Sequence, residues 1–271
     1  MPELPEVETT LRGIAPHVEG RRIERVVLRD ARLRYGVDPE LVVALADQVV
    51  EHVERRAKYL LLRTQRGTVI LHLGMSGSLR VVSAILAPEK HDHVDFVLAG
   101  GLCLRMRDPR RFGSIIWTPQ DPAQHPLLRR LGPEPLGDSF SGDYLAQRAR
   151  GRKSPIKTFI MDNSVVVGVG NIYASEALHR AGIHPLRSAG RISAVRYVAL
   201  AAAIREVLQQ AIESGGTTLR DFVHSEGKPG YFSQQLRVYG RAGEPCLTCR
   251  AAVKFERVGQ RATYFCGHCQ R

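Results

Sequence analysis

Leu4, Val7, Leu11 and Ile14 recur at spacings of three and four, which puts them on one face of a helix over residues 4–15. Pro5 suits its first turn, and Glu6 and Glu8 suit the positive end of its dipole. From about residue 22 to 117 the pattern changes to strands. Ile23–Leu28, Tyr59–Leu62, Val69–Leu73, Val94–Leu98 and Ser114–Trp117 are short runs rich in leucine and β-branched residues, separated by Gly, Asp and Pro. Leu102–Arg107 is also strand-like, while the intervening Pro39–Val50 reads as helical. Pro119, Pro122, Pro126, Pro133 and Pro135 then crowd one segment, which predicts a linker. Beyond it the period is helical over 141–150, 155–162, 171–181 and 191–214. In the last of these Leu200, Ile204, Val207, Leu208 and Ala211 form a stripe. Strands followed by helices predict a sandwich or small barrel with flanking helices, then a helical part. No internal repeat or low-complexity tract interrupts the order.

A chain of 271 residues is long enough for two domains with their own cores, and 44% hydrophobic content argues against disorder. No run of 18 apolar residues occurs, so no membrane-spanning helix is expected. The opening Met1-Pro2-Glu3-Leu4-Pro5-Glu6 has neither the basic start nor the apolar stretch of a secretory signal, and a cytoplasmic protein is expected. The net charge of +12 suggests a polyanionic partner: DNA, RNA or an acidic membrane surface. An arginine-rich composition would give the same charge, since only six of the 39 basic residues are lysines.

The cysteines are more specific. Cys246-Leu-Thr-Cys249 and Cys266-Gly-His-Cys269 enclose 16 residues, and two such knuckles can aim four sulfurs at one zinc ion. Two disulfides or a redox-active pair are the other readings; a cytoplasmic location argues against the first and the matched knuckles against the second. Four thiolates fill a tetrahedron, so the ion is expected to be structural, one per chain, and His268 to be exposed rather than a ligand. Lys254, Arg257 and Arg261 lie between the knuckles, where a stiffened basic loop could touch a phosphate. Cys103 is expected to be a small core residue.

The N-terminus offers a second chemistry. Loss of Met1 would leave a secondary amine on Pro2, less basic than a lysine and made less basic still by the start of the helix. A neutral amine can attack an electrophilic sugar carbon to form an iminium, and the adjacent Glu3 could move protons. Many proteins begin Met-Pro, so the residues alone leave a purely structural start open.

Seven separated segments carry a resemblance. Pro2-Glu3-Leu4-Pro5-Glu6-Val7-Glu8-Thr9, Arg56-Ala57-Lys58-Tyr59-Leu60, His72-Leu73-Gly74-Met75-Ser76-Gly77 and Asp108-Pro109-Arg110-Arg111-Phe112-Gly113 resemble, in order, the formamidopyrimidine-DNA glycosylases. So do Val167-Gly168-Val169-Gly170-Asn171-Ile172-Tyr173-Ala174-Ser175-Glu176, Gly227-Lys228-Pro229-Gly230-Tyr231-Phe232 and Gln260-Arg261-Ala262-Thr263. The resemblance implies an α+β architecture: an N-terminal β-sandwich with flanking helices over 1–133, a helix-two-turn-helix domain over 134–237 and a zinc hairpin over 238–271. It implies a monomer acting on double-stranded DNA that contains oxidised purines, excising 8-oxoguanine and formamidopyrimidines and then cleaving the strand by β,δ-elimination.

Site residues follow from the same resemblance. Pro2 is implied as the nucleophile at the sugar C1′, Glu3 as the group moving protons on the sugar, and Lys58 as an aid to elimination that also holds a phosphate. Met75, Arg110 and Phe112 match residues that fill the gap left by the everted nucleotide, with the arginine favouring an opposite cytosine. Gly168-Val169-Gly170 precedes a helix, a phosphate-binding arrangement, and Asn171 matches a phosphate contact. Arg261 matches an arginine that grips the lesion phosphate and aids δ-elimination; His72, His91 and Arg152 map to DNA contacts. Ser225, Lys228, Gly230 and Tyr231 map to a loop that closes over the everted base. Two alternatives stay open at this point. An oxidised-pyrimidine glycosylase of the endonuclease VIII type uses the same nucleophile but characteristically has glycine in place of Leu4 and lacks the Met-Arg-Phe set. A zinc-ribbon DNA-binding protein without catalysis is the other.

Overall fold

The computed structural model describes residues 2–216 and 235–271. They fall into two compact units, one of residues 2–129 with 215–216, the other of residues 130–214 with 235–271.

The first unit opens with α1 (Leu4–Val18). Glu3 caps it: its backbone N–H donates to Glu6 Oε2 at 2.8 Å, one half of a capping box. Leu4, Val7, Ile14 and Val18 are its buried stripe. The helix runs three residues past the expected end, through Pro16. A proline this close to a C-terminus removes one hydrogen bond from a turn that is already fraying.

Two antiparallel four-stranded sheets follow. One has the order β1 (Ile23–Leu28), β6 (Asp92–Leu98), β7 (Leu102–Arg107), β5 (Ser78–Ser83). The other has the order β2 (Val50–Arg56), β3 (Tyr59–Thr64), β4 (Gly67–His72), β8 (Ser114–Thr118). Val94, Phe96, Leu104 and Met106 of the first share one buried cluster with Leu60, Leu62, Val69, Leu71 and Ile115 of the second, which makes the pair a sandwich. α1 packs against β2, β3 and β5, strands of both sheets.

Two strands differ from the sequence expectation. The stretch read as helix to Val50 is helical only over α2 (Glu40–Leu45), and β2 begins at Val50. β2 is rich in charged residues and has a register shift between Val50 and His52, and β5 is bounded by serines and interrupted by Arg80, so neither shows the apolar run that marks the other strands. Cys103 is fully buried in β7, where burial pushes its thiol up to about 12; it is a core residue as expected.

The second unit holds α3 (Gly142–Ala149), α4 (Ile156–Ile160), α5 (Asn171–Arg180), α6 (Ala194–Glu213) and a hairpin of β9 (Lys254–Val258) and β10 (Arg261–Phe265). The long α6 packs on α3 and α5, and α5 packs on β10. α3 approaches α6 closely because Gly142 lacks a side chain: a Cβ there would lie 2.4 Å from Val198 Cα. The proline-rich segment contains one 3₁₀ turn, Pro122–Gln124, and joins the units as the predicted linker.

Candidate functional site

Strand register gathers most of the predicted residues of the first unit at one end of the sandwich. Tyr59 pairs with His72, and His72 with Ser114, so Lys58, the Gly74–Met75 turn and Phe112 leave the second sheet at the same end. In the first sheet Arg107 pairs with both Ser78 and Asp92, which brings His91, Asp108 and Gly77 to the matching end. Asp108 N–H donates to His91 C=O at 3.1 Å. α1 is tied there too, because Glu8 accepts from Arg55 at 2.8 Å, three residues before Lys58.

Lys58 sits with Ala57 in a two-residue hairpin turn between β2 and β3, and Ala57 takes a φ of 56°. Lys58, Pro2 and Glu3 are buried. A solvated strand-edge lysine, the alternative for Lys58, does not fit that burial. His72 packs its ring 4.9 Å from that of Tyr59. Its Nδ1 accepts from Gly74 N–H at 3.0 Å. Burial, with the charges of Lys58 and Arg34 nearby, lowers its pKa to about 4. His72 is therefore neutral near pH 7 and carries its proton on Nε2.

Met75 is half-buried, whereas Arg110 and Phe112 are exposed, Phe112 at 43%. A core role for Phe112 is thus ruled out. The Arg110 guanidinium lies 5.1 Å over the Phe112 ring, a cation–π contact. The neighbouring Arg111 turns away and pairs with Asp30 at 2.5 Å. The two arginines are not an equivalent solvated pair.

In the second unit Gly170 caps α5 in an extended conformation and Asn171 is its first residue. Asn171 Nδ2 donates to the Tyr239 hydroxyl at 3.3 Å. Arg261 opens β10, exposed, directly after the tight turn at Gly259 and Gln260, whose φ values of 53° and 64° suit a two-residue hairpin. Arg152 is exposed as well, and both arginines line one cleft of about 500 Å³ with Lys157 and Asp162. Nothing in the spacing of the sequence puts Arg152 and Arg261 together.

The four cysteine sulfurs lie within 4.8 Å of one another, with Cys249–Cys266 at 3.4 Å and Cys246–Cys269 at 4.0 Å. Four thiolates on one zinc at ~2.3 Å stand about 3.8 Å apart, so the residues fit the ion. His268 is exposed. The hairpin's own core is small: Val238, Cys246, Val253 and Cys266.

Sequence reasoning missed several residues. Lys157, 1% exposed, donates from Nζ to Ala262 C=O and Thr263 Oγ1, both at 2.9 Å, beneath the strand that presents Arg261. The buried Glu176 accepts from the backbone N–H groups of Arg237, Val238 and Tyr239 at 2.8–3.0 Å. His179 Nε2 lies 3.5 Å from Cys246 Sγ. Glu176 closes one of the seven segments and Lys157 stands among Ile156, Phe159 and Ile160, which were the available signals. Ser225, Lys228, Gly230 and Tyr231 lie outside the described residues.

A β-sandwich that gathers the candidate residues at one end, a helical unit with a glycine-capped helix, and a tetrathiolate hairpin are the parts expected of a zinc-containing DNA glycosylase of base excision repair. Comparison with known proteins narrows the class. Residues 1–115 match the formamidopyrimidine-DNA glycosylase N-terminal domain, 131–223 the formamidopyrimidine-DNA glycosylase H2TH domain, and 243–271 the zinc finger found in FPG and IleRS. The formamidopyrimidine-DNA glycosylase of Stenotrophomonas maltophilia is 59% identical over 271 residues, covering both chains entirely. The crystal structure of MutM (Fpg) from Thermus thermophilus superposes with a TM-score of 0.88 at 39% identity, covering 99% of this chain and 98% of that one. The Lactococcus lactis Fpg, solved in complex with DNA containing an abasic site, gives 0.90 at 32% identity over 99% of both chains. The chain belongs to the formamidopyrimidine-DNA glycosylase family.

Proposed function

We propose that this glycosylase excises 8-oxoguanine and formamidopyrimidines from double-stranded DNA through a Schiff base on Pro2 and then cuts the strand by β,δ-elimination. The observation that carries the reading is the single end of the sandwich that gathers Lys58, His72, Met75, His91, Arg110 and Phe112.

With Met1 removed, the Pro2 nitrogen attacks C1′ and the damaged base departs with its bonding electrons and a proton. Glu3 moves protons on the sugar as the ring opens. The resulting iminium cannot lose its charge by deprotonation at nitrogen, because the amine is secondary. It withdraws electrons from C2′, so a C2′ proton is lost and the 3′ phosphate leaves. A second elimination releases the 5′ phosphate, and water frees Pro2. Lys58 holds a phosphate beside the lesion and assists elimination. Arg261 grips the lesion phosphate and, with Asn171, His72, His91 and Arg152, completes the DNA contacts. Met75, Arg110 and Phe112 fill the vacated stack, at a cost of a few kcal/mol of unstacking offset by their contacts. Ser225, Lys228, Gly230 and Tyr231 belong to the loop over the everted base. Cys246, Cys249, Cys266 and Cys269 would hold the zinc ion, which would stiffen the hairpin, with no coordination position left for a reacting group.

Pro2, Glu3 and Lys58, all present and buried, favour this reading over a zinc-ribbon protein without catalysis, and Leu4 with the complete Met-Arg-Phe set favours it over an oxidised-pyrimidine enzyme. No described helix is long and apolar enough to cross a membrane, and a reducing cytoplasm suits five cysteines of which none forms a disulfide. Two duplexes test the assignment, one with 8-oxoguanine opposite cytosine and one with an oxidised pyrimidine. Release of the purine with a gap bearing phosphate at both ends is expected. Preferential cleavage of the pyrimidine duplex would reassign the substrate.

A further inference from the structure

The two segments that carry the stack-filling residues are joined by one buried carboxylate. Asp108 is fully buried between them. Its Oδ1 accepts from Ser76 Oγ at 2.7 Å and from Arg110 N–H at 3.3 Å, and its Oδ2 accepts from Gly113 N–H at 2.7 Å. Its carbonyl accepts from Arg111 N–H at 3.2 Å and contacts His93 Nε2 at 2.8 Å. Ser76, 4% exposed, closes the ring by accepting from Arg110 N–H at 3.2 Å. Backbones touch as well: a Cβ on Gly74 would lie 2.4 Å from Gly113 N and Phe112 C, and Gly74 has a φ of 65°. Arg111 holds a φ of 57°, a left-handed turn that an arginine adopts only when its surroundings fix it.

We propose that Asp108 and Ser76 are positioning residues, a clamp that locks the Met75 turn and the Arg110–Phe112 loop into one rigid wedge before DNA arrives. The inference rests on the reading of Met75, Arg110 and Phe112 as stack fillers. A short loop left to itself would sample many conformations, and one of them would have to be frozen out on insertion. The carboxylate accepts from both segments at once, so insertion meets a preorganised surface. An asparagine cannot substitute. Its amide nitrogen would face the Gly113 N–H or, flipped, the Arg110 N–H, donor against donor. Ser76→Ala would leave Asp108 its own loop and release only the Met75 turn.

The test compares Ser76→Ala, Asp108→Asn and Arg110→Ala. Single-turnover excision of 8-oxoguanine is measured opposite cytosine and opposite adenine, and cleavage of a preformed abasic site in single-stranded DNA, which has no stack to fill, is measured beside it. Asp108→Asn should slow excision opposite cytosine about tenfold or more and narrow the cytosine-over-adenine ratio, with Ser76→Ala doing so several-fold. Both should cut the single-stranded abasic site at about the parent rate. If Arg110→Ala itself leaves the ratio unchanged, the wedge reading beneath the proposal fails. If Arg110→Ala narrows it while both clamp variants keep the parent ratio, the clamp is refuted and the wedge stands. Parallel loss of both activities, with a lowered unfolding midpoint, would make the two residues mere supports of the fold and overturn the proposal.

Discussion

Tyr59 and His72 face each other across β3 and β4, and the environment that makes His72 useful also makes it a liability in acid. Its pKa falls from 6.5 to about 4 on folding. Between those values the unfolded chain binds the proton and the folded one does not, so stability drops as pH falls through that window. His72→Gln should therefore lose less stability than the parent between pH 6.5 and 4.5 in urea unfolding; parallel loss in both would contradict the assignment. Lys157 poses a different case, a buried donor held by two acceptors. Lys157→Met leaves Ala262 C=O and Thr263 Oγ1 short of a donor and should cost about 1–3 kcal/mol of stability. It should also loosen Arg261, visible as weaker duplex binding. At this scale the motifs pointed to candidate residues for the chemistry but not to their supports. Ser76, Lys157 and Glu176 meet groups far along the chain, and Asp108 ties its own loop to the distant Ser76; no periodicity or spacing encodes which carbonyl or N–H a side chain will meet.

Elements were legible where apolar residues cluster in sequence. β1, β3, β4, β6 and β8 carry such runs whether they lie at an edge or inside a sheet; β2, rich in charged residues, and β5, bounded by serines and interrupted by Arg80, were missed. What no element revealed singly was the pairing that brings three strand ends together, since Lys58, Met75 and Phe112 are neighbours only through the Tyr59–His72–Ser114 register. The zinc hairpin is the converse. Its ligands were plain from spacing because the chemistry fixes the geometry. With four buried residues in its core it cannot hold its fold by apolar burial alone. A chelator strong enough to strip the ion should unfold residues 243–271 while the far-UV signal of the helices persists. DNA affinity should fall about tenfold or more through loss of the Arg261 contact. Unchanged affinity in the metal-free protein would remove the hairpin from the DNA-binding surface.

For the molecule as a whole, a net charge of +12 and several assigned phosphate contacts require a steep salt dependence. Each contact should contribute about 0.9 to the slope of log affinity against log salt. Replacing Arg261 by alanine should lower that slope by roughly one, and a slope near zero in the parent would contradict the phosphate roles. The covalent step is the centre of the account, and borohydride trapping reads it directly. The protein is incubated with a duplex carrying 8-oxoguanine opposite cytosine, borohydride is added, and the adduct is mapped by mass spectrometry with the state of Met1 determined on the same sample. A stable protein–DNA adduct attached at the nitrogen of Pro2 is expected. No adduct from protein whose Met1 is gone, or an adduct attached to a lysine instead, would contradict it.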